Sequence, residues 1–349
     1  MRVGLVFHHD PRQRPPGIDI ERLTALALGL ADRGVAAEVV APAARPGWLA
    51  AGPERAIAIR PLADIPAGRY DLLKTCYHPG IDLVDGHQGA LVCRLVRVVD
   101  QERPVRDAPR RARLLAWQQK IRQRADAVAF NNPENLARWR ALYGGDQPAV
   151  LTPTGCPATI PARGPNPYAP GLPVLLFLGS LASPAMARML NHLAEALRGQ
   201  AAVHLVGLNK TGLYGEAVAL SGLISDHGPQ TGAALWDRVG WTQAGVALAA
   251  GPDEFDNDSS KVYAYLRAGL PVLCEAPIRQ WPLIAELGMG RQFPLGDTAA
   301  MVDQARALLT DEHPQREAAM ARMAAEQGWE RRVETYLTLF RSLLGRAPA

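Results

Sequence analysis

Between Phe255 and Glu275 the chain reads FDNDSSKVYAYLRAGLPVLCE: an acidic loop, then Ser259, Ser260 and Lys261, then a helical stretch to Ala268-Gly269 and a strand opened by Pro271. Those residue types at that spacing suit an anion. A helix start presents backbone N–H groups with no intrahelical partner, and its dipole favours negative charge. Two hydroxyls and an ammonium add donors and charge. At the C-terminal edge of a parallel sheet, such a helix start is where doubly wound folds bind phosphates. The alternative is an ordinary helix cap with a surface lysine, although a cap rarely needs two serines and a lysine together. A second concentration of charge is basic. Arg103–Arg124 holds seven arginines, Lys120 and Trp117. It fits a peripheral contact with an anionic membrane surface, and it fits the solvated face of a helix better.

The elements that position these groups follow from a 349-residue chain with 48% hydrophobic and 21% charged residues, which predicts two globular domains of ordinary size. No apolar run reaches bilayer length, and the start MRVGLVFHHD enters a strand directly without a signal-peptide layout. Four scattered cysteines (Cys76, Cys93, Cys156, Cys274) form no Cys-x-x-Cys pair and point to a reducing cytoplasm, with peripheral attachment at the inner membrane face as a variant. Lys+Arg 38 against Asp+Glu 34 gives +4, too mild for a nucleic-acid binder. Only Lys74, Lys120, Lys210 and Lys261 are lysines in an arginine-rich chain, which draws the eye to them.

Arg2–Phe7 reads as a buried strand; Leu23, Leu26, Ala27 and Leu30 share one helix face that Gly34 closes; Ala37–Ala41 is a second strand. This is a βαβ unit and implies a parallel sheet. The grammar continues with strands at Tyr70–Cys76, Leu91–Val99, Ala127–Phe130 and Ala149–Thr152, and helices at Arg111–Arg124 and Pro133–Tyr143. PARGPNPYAPGLP (161–173) reads as the interdomain linker. The alternation then restarts with Val174–Leu178, Met186–Leu197, Val203–Val206, Val246–Ala249, Tyr263–Ala268 and Pro271–Cys274, and ends in helices from Thr298, the last with Val333, Tyr336, Leu337, Phe340 and Leu344 on one stripe.

Segment 255–275 resembles the donor-binding region of GT-B glycosyltransferases, particularly the family-4-like group, where helix, Ala-Gly-x-Pro-Val and strand recur in the second domain. Further stretches resemble that family in the same order: GIDIERLTALALGLADRGVAAEVVAP (17–42) with its first glycine turn at Gly17, RADAVAFNNPENLARWRALYG (124–144), LTPTGCP (151–157), VLLFLGSL (174–181), ELGMGRQF (286–293) and WERRVETYLTLFRSLL (329–344). The resemblance covers nearly the whole chain. It implies an α/β GT-B fold of two doubly wound Rossmann-like domains with a nucleotide-sugar bound in the cleft between them. The expected boundaries are 1–165 for an acceptor domain, 171–327 for a donor domain, and 328–349 for a closing helix packed back on the first domain.

The resemblance also implies site residues. Gly179 and Ser180 end the first strand of the donor domain, and Ser259, Ser260 and Lys261 take the diphosphate. Where the family has an acidic residue and, after seven others, a Glu on the ribose, this chain has Asp256 and Ala264. The Arg and Lys that often follow the Gly179 strand are absent, so Lys210 in GLNKTGLYG (207–215) is the substitute charge, with Arg188 more distant. A base for the acceptor comes, in such enzymes, from strand-end loops of the first domain. His8-His9-Asp10 offers a histidine beside a carboxylate, Asp100 a carboxylate after a buried run, and His78 a ring before Pro79-Gly80; each has a structural alternative as a turn or strand end. Gly17 and Asp10 belong to the acceptor-side loop. No metal or other cofactor is expected, and Asp253, Glu254, Asp256 and Asp258 read as a solvated loop with one donor contact, at Asp256. The expected partners are a nucleoside-diphosphate-sugar and a sugar, lipid-linked or small-molecule acceptor, in glycoconjugate biosynthesis. A non-catalytic GT-B module that binds a nucleotide or glycan, and a GT-B-fold epimerase, are the alternatives.

Overall fold

The computed structural model describes residues 1–13, 17–51, 54–66, 68–100, 108–213, 216–249, 251 and 258–345. Asp256, Asp253, Glu254, Arg103 and Arg106 lie outside the described residues. The chain forms two compact units, one of Met1–Thr154 with Trp329–Ala349 and one of Gly155–Gly328.

The first unit runs β1 (Arg2–Val6), α1 (Ile18–Ala31), β2 (Ala36–Ala41), β3 (Gly47–Ala50), β4 (Ala56–Pro61), β5 (Leu72–Thr75), β6 (Ala90–Leu95), α2 (Ala108–Arg124), β7 (Ala127–Phe130), α3 (Pro133–Tyr143) and β8 (Ala149–Leu151). Its sheet has the order β3-β4-β2-β1-β5-β6-β7-β8. The pairings are parallel except for β3 against β4. Strands β5 and β7 are buried along their whole length, as helix-covered parallel strands must be. Leu23, Leu26, Ala27 and Leu30 are the buried face of α1, at the spacing the sequence predicts. Gly34 adopts φ 73 after that helix, a conformation that favours glycine.

The second unit runs β9 (Val174–Leu181), α4 (Pro184–Ala196), β10 (Ala202–Asn209), β11 (Ile224–Asp226), α5 (Gly232–Gly240), β12 (Ala244–Ala247), α6 (Ser260–Arg267), β13 (Val272–Glu275), α7 (Trp281–Glu286), β14 (Gly290–Phe293), α8 (Thr298–Thr310) and α9 (Arg316–Gln327). Its sheet order is β11-β10-β9-β12-β13-β14, parallel throughout. The order reverses direction beside β9, a topological switch point of the kind at which doubly wound sheets bind ligands. Ser183 caps α4 by accepting the Met186 N–H, and Pro184 sits in its first turn.

The final helix, α10 (Trp329–Leu343), belongs to the first unit. Val333, Tyr336, Leu337 and Phe340 join Leu23, Leu26 and Leu30 of α1 in one core over β1, β2 and β5. Leu344, expected on the same stripe, follows the helix end.

Two expectations about local structure change. The proline-rich stretch 161–173 is fastened to the second unit: Gly164 donates its N–H to Asp237, Trp241 donates to the Gly164 carbonyl, and the buried Tyr168 donates to the Arg238 carbonyl. Proline and glycine there prevent a helix or strand without making the segment a tether. The apolar run 91–99 is strand only as far as Leu95. Beyond it the Val98 and Val99 N–H groups bond the Asn135 and Gln118 side chains, so the residues stay buried without a sheet partner.

Candidate functional site

In the second unit the C-terminal ends of β9 and β10 approach closely. Gly207 pairs with Gly179, and a Cβ on Gly207 would stand 1.8 Å from the Gly179 carbonyl oxygen. Gly179 itself has φ 95, a region most side chains avoid. The Lys261 side chain comes to this point. Its Cε lies 3.8 Å from where a Gly179 Cβ would be, and its ammonium is 4.4 Å from the centre of the Phe177 ring. The aromatic face holds the cation over the end of β9.

Lys261 is in the first turn of α6, and Ser259 is the residue before that helix. Ser259 is extended and its hydroxyl makes no capping bond. The cap is steadied from behind: the buried Asp258 carboxylate accepts bonds from Tyr263 Oη at 2.8 Å and Gln280 Nε2 at 3.0 Å. Ser259 and Ser260 are both partly exposed. The structure therefore brings Gly179, Ser259, Ser260 and Lys261 to one sheet edge, with Ser180 following in β9. Lys210 starts the turn after β10, and its N–H bonds the Leu181 carbonyl at 3.1 Å, which puts it at the same edge on the other side of β9. Arg188 pairs with Glu216 on the surface. Ala264 is helical and carries no polar group toward any ligand.

Glu275 is a residue that the sequence reading missed. It ends β13, is buried, and accepts the N–H groups of Ala249 at 2.7 Å and Gly296 at 2.8 Å. It thereby ties together the segments that follow β12 and β14. Burial pushes its carboxyl above the usual carboxylate range, against the two amides that favour the charged form. A lone acid closing the apolar strand VLCE is the signal that would have found it.

In the first unit, Phe7, His8 and Tyr77 form an aromatic group after β1: His8 lies 5.3 Å from Phe7 and 5.4 Å from Tyr77, and 4.1 Å from His9, between ring centres. His8 is partly buried and His9 exposed. The Asp10 carboxylate is gripped by Arg12 through Nε at 2.9 Å and Nη2 at 2.7 Å, and that bond holds its carboxyl below the usual range. Asp10 therefore orders its own loop through Arg12. Gly17 precedes α1 in an extended conformation with open space around its Cα.

His78 is 3% exposed, and its Nε2 lies 2.8 Å from the Arg97 carbonyl oxygen. Burial holds the ring down at about 4, so it is neutral and anchors the segment after β6. Asp100 lies five residues beyond β6 and accepts from Arg138 Nη1 at 2.8 Å, with both side chains partly exposed. On α2, Lys120 pairs with Asp82, Arg124 with Asp85 and Arg122 with Asp146, while the Trp117 indole also donates to Asp82. Much of the basic charge of that helix is thus met by acids of its own unit. Among the described residues no helix is long and apolar enough to cross a membrane, and no group of three or more His, Cys, Asp or Glu side chains could hold a metal ion.

No protein-family model matches the sequence, and no curated protein matches it. Solved structures do match over the full length. Sucrose-phosphate synthase from Thermosynechococcus elongatus superimposes with a TM-score of 0.76 at 16% identity, over 99% of either chain. Anabaena HepE in complex with UDP-glucose gives 0.72 at 14% identity, over 98% of this chain and 100% of that one. WaaG, a glycosyltransferase involved in lipopolysaccharide biosynthesis, gives 0.65 at 16% identity, over 98% and 100%. At such identities the likeness speaks for architecture. Two parallel-dominated sheets in the orders described, clothed by helices and matched end to end by these structures, give the chain the GT-B fold.

Proposed function

We propose that the protein is a glycosyltransferase that moves a sugar from a nucleoside-diphosphate-sugar to an acceptor hydroxyl. One observation carries the reading: Lys261 is held over Phe177 beside Gly179, at the start of a helix whose cap hydroxyl is uncommitted. A diphosphate there accepts bonds from the first N–H groups of α6 and from the Ser259 and Ser260 hydroxyls, and its charge is met by Lys261 and the helix dipole. The glycines let the phosphates reach the backbone, and Lys210 faces them from the end of β10. HepE, solved with UDP-glucose, supports a donor of this class.

In the transfer, the bond between the anomeric carbon and the acceptor oxygen forms as the bond to the diphosphate breaks. The hydroxyl proton passes to a base, and the diphosphate leaves with its charge stabilised at α6. His9, exposed beside His8, and Asp100 are the base candidates on the first unit. His78, buried and neutral, serves as an anchor, and Asp10 as a loop brace. Asp256, outside the described residues, is a donor-side contact, and the ribose contact is made elsewhere or missing. The acceptor is a sugar, a lipid-linked sugar or a small molecule.

Ala264 supports a second reading, a module that binds the nucleotide or a glycan without turnover, because the position that would hold the ribose with a carboxylate has a methyl group. Release of nucleoside diphosphate from nucleotide-sugars in the presence of a pool of acceptors decides between the two: the transferase releases it, and the binding module does not.

A further inference from the structure

Glu275 closes β13 almost wholly out of water, at 1% exposed. Burying a carboxylate is costly unless hydrogen bonds replace its water. The replacement is two backbone amides, one for each oxygen: Ala249 donates to Oε2 at 2.7 Å and Gly296 to Oε1 at 2.8 Å. A glutamine in its place would offer one acceptor oxygen and turn an N–H toward the other amide. A carboxylate is therefore suited to holding both strand-end segments at once.

Ala249 follows β12, and β12 lies between β9 and β13. Ala249 packs in one core with Val262, Tyr263 and Leu266 of α6. Phe177 belongs to the core on the other face of the sheet, with Leu175 and Leu181. The Lys261 ammonium nevertheless stands over Phe177, so from α6 its side chain crosses the C-terminal edge of the sheet beside the end of β12. That is the backbone Glu275 holds. The segment after β13 reaches the helix start at a second point, because Gln280 Nε2 donates at 3.0 Å to Asp258, the residue before Ser259. Ala249 and Asp258, which flank the acidic stretch, are thus both held by the segment from Glu275 to Gln280.

We infer that Glu275 is a positioning residue of the diphosphate site: it fixes the backbone beside which Lys261 crosses the sheet edge, and so sets the ammonium for the phosphates without touching them. The inference rests on the reading of the α6 start as a nucleoside-diphosphate site. Val272 and Cys274 share the core of α6 and Leu273 lies in the other, so strand alternation turns Glu275 away from the helix. Its effect passes through Ala249.

Calorimetry with UDP, GDP, ADP and TDP on the wild type, Glu275→Gln, Lys261→Met and the double variant tests it. Glu275→Gln is expected to weaken the tightest-bound nucleotide about tenfold. The double variant is expected to bind within about threefold of Lys261→Met alone, because a misplaced lysine and an absent one are the same loss. A residue that merely stabilises the fold would not show this coupling. Unchanged affinity in Glu275→Gln, or single losses that multiply in the double variant, overturns the inference. Should Glu275→Gln fail to fold, amide hydrogen exchange of the wild type decides. Saturating nucleotide is expected to slow exchange at Ala249 together with α6, and slowing at α6 alone overturns the inference. If none of the four nucleotides binds the wild type, the diphosphate reading fails by itself, and exchange in Glu275→Gln still decides the positioning. Faster exchange across α6 is expected; faster exchange confined to Ala249 and Gly296 overturns it.

Discussion

The ammonium of Lys261 stands 4.4 Å from the centre of the Phe177 ring, so a residue that opens a helix is fixed above a residue of the central strand of the second unit. A lysine free in water would have to surrender rotamer freedom before it met a ligand. Here the ring face and the space left by Gly179 set its direction beforehand, and the side chain remains partly exposed.

Replacement of Lys261 by Met keeps the stem against Phe177 and removes the charge. Nucleoside-diphosphate affinity is expected to fall about tenfold or more, a loss of at least about 1.4 kcal/mol, with the unfolding midpoint nearly unchanged. Calorimetric titration beside a melting curve checks both. Unchanged affinity would remove Lys261 from the site.

Two glycines predict opposite outcomes for the same substitution. Gly207→Ala puts a methyl group 1.8 Å from the Gly179 carbonyl oxygen, and both are backbone of paired strands that cannot yield cheaply. A loss of roughly 3 kcal/mol or more is expected. Gly17→Ala meets nothing within 4 Å in an extended backbone, and its cost stays below about 1 kcal/mol. Urea unfolding of both variants tests the contrast, which equal costs would contradict.

The pH dependence of stability has an assignable contribution. Burial lowers the His78 ring from its ordinary 6.5 to about 4 in the folded chain. The unfolded chain therefore takes up the proton first as pH falls. Stability drops between pH 6.5 and about 4, by roughly 3 kcal/mol at about 1.4 kcal/mol per pH unit, and levels off below. His78→Gln keeps a donor for the Arg97 carbonyl and does not titrate. Its stability should decline less than that of the wild type across this window, and parallel curves would show that His78 does not carry the effect.

Polar ties flank the apolar seam between the return helix and α1: the Trp329 indole donates to Glu21 at 3.0 Å, and Arg33, just past α1, pairs with Glu334. Trp329→Phe removes the donor while Glu21 stays open to water, with an expected cost of about 1 kcal/mol. Glu21→Gln retains an acceptor and should cost less. Chemical denaturation of the two variants ranks them; the reverse order would contradict this account of the seam.

Much of the architecture was legible in the sequence, because each helix face and buried strand repeats with its own period. Ala127–Phe130 and Pro133–Tyr143 coincide with β7 and α3 to the residue. Short elements were not legible. Strands β3, β4, β11 and β14 and helices α5 and α7 are too short for a period to show. The site was half legible. Ser259–Lys261 suggested an anion site through residue type alone, whereas the approach of Lys261 to Gly179 and Phe177 depends on strand order, which periodicity does not encode. Asp10 looked like a partner for the neighbouring histidines, but Arg12, two residues on, is the nearer match for its carboxylate.

The central claim is that the start of α6 binds a nucleoside-diphosphate-sugar. Isothermal calorimetry of the wild-type protein with UDP, GDP, ADP and TDP, repeated on Lys261→Met, tests it most directly. The account predicts saturable one-to-one binding of at least one of the four, weakened by the substitution. Absence of binding by all four, or binding that the substitution leaves intact, would contradict it.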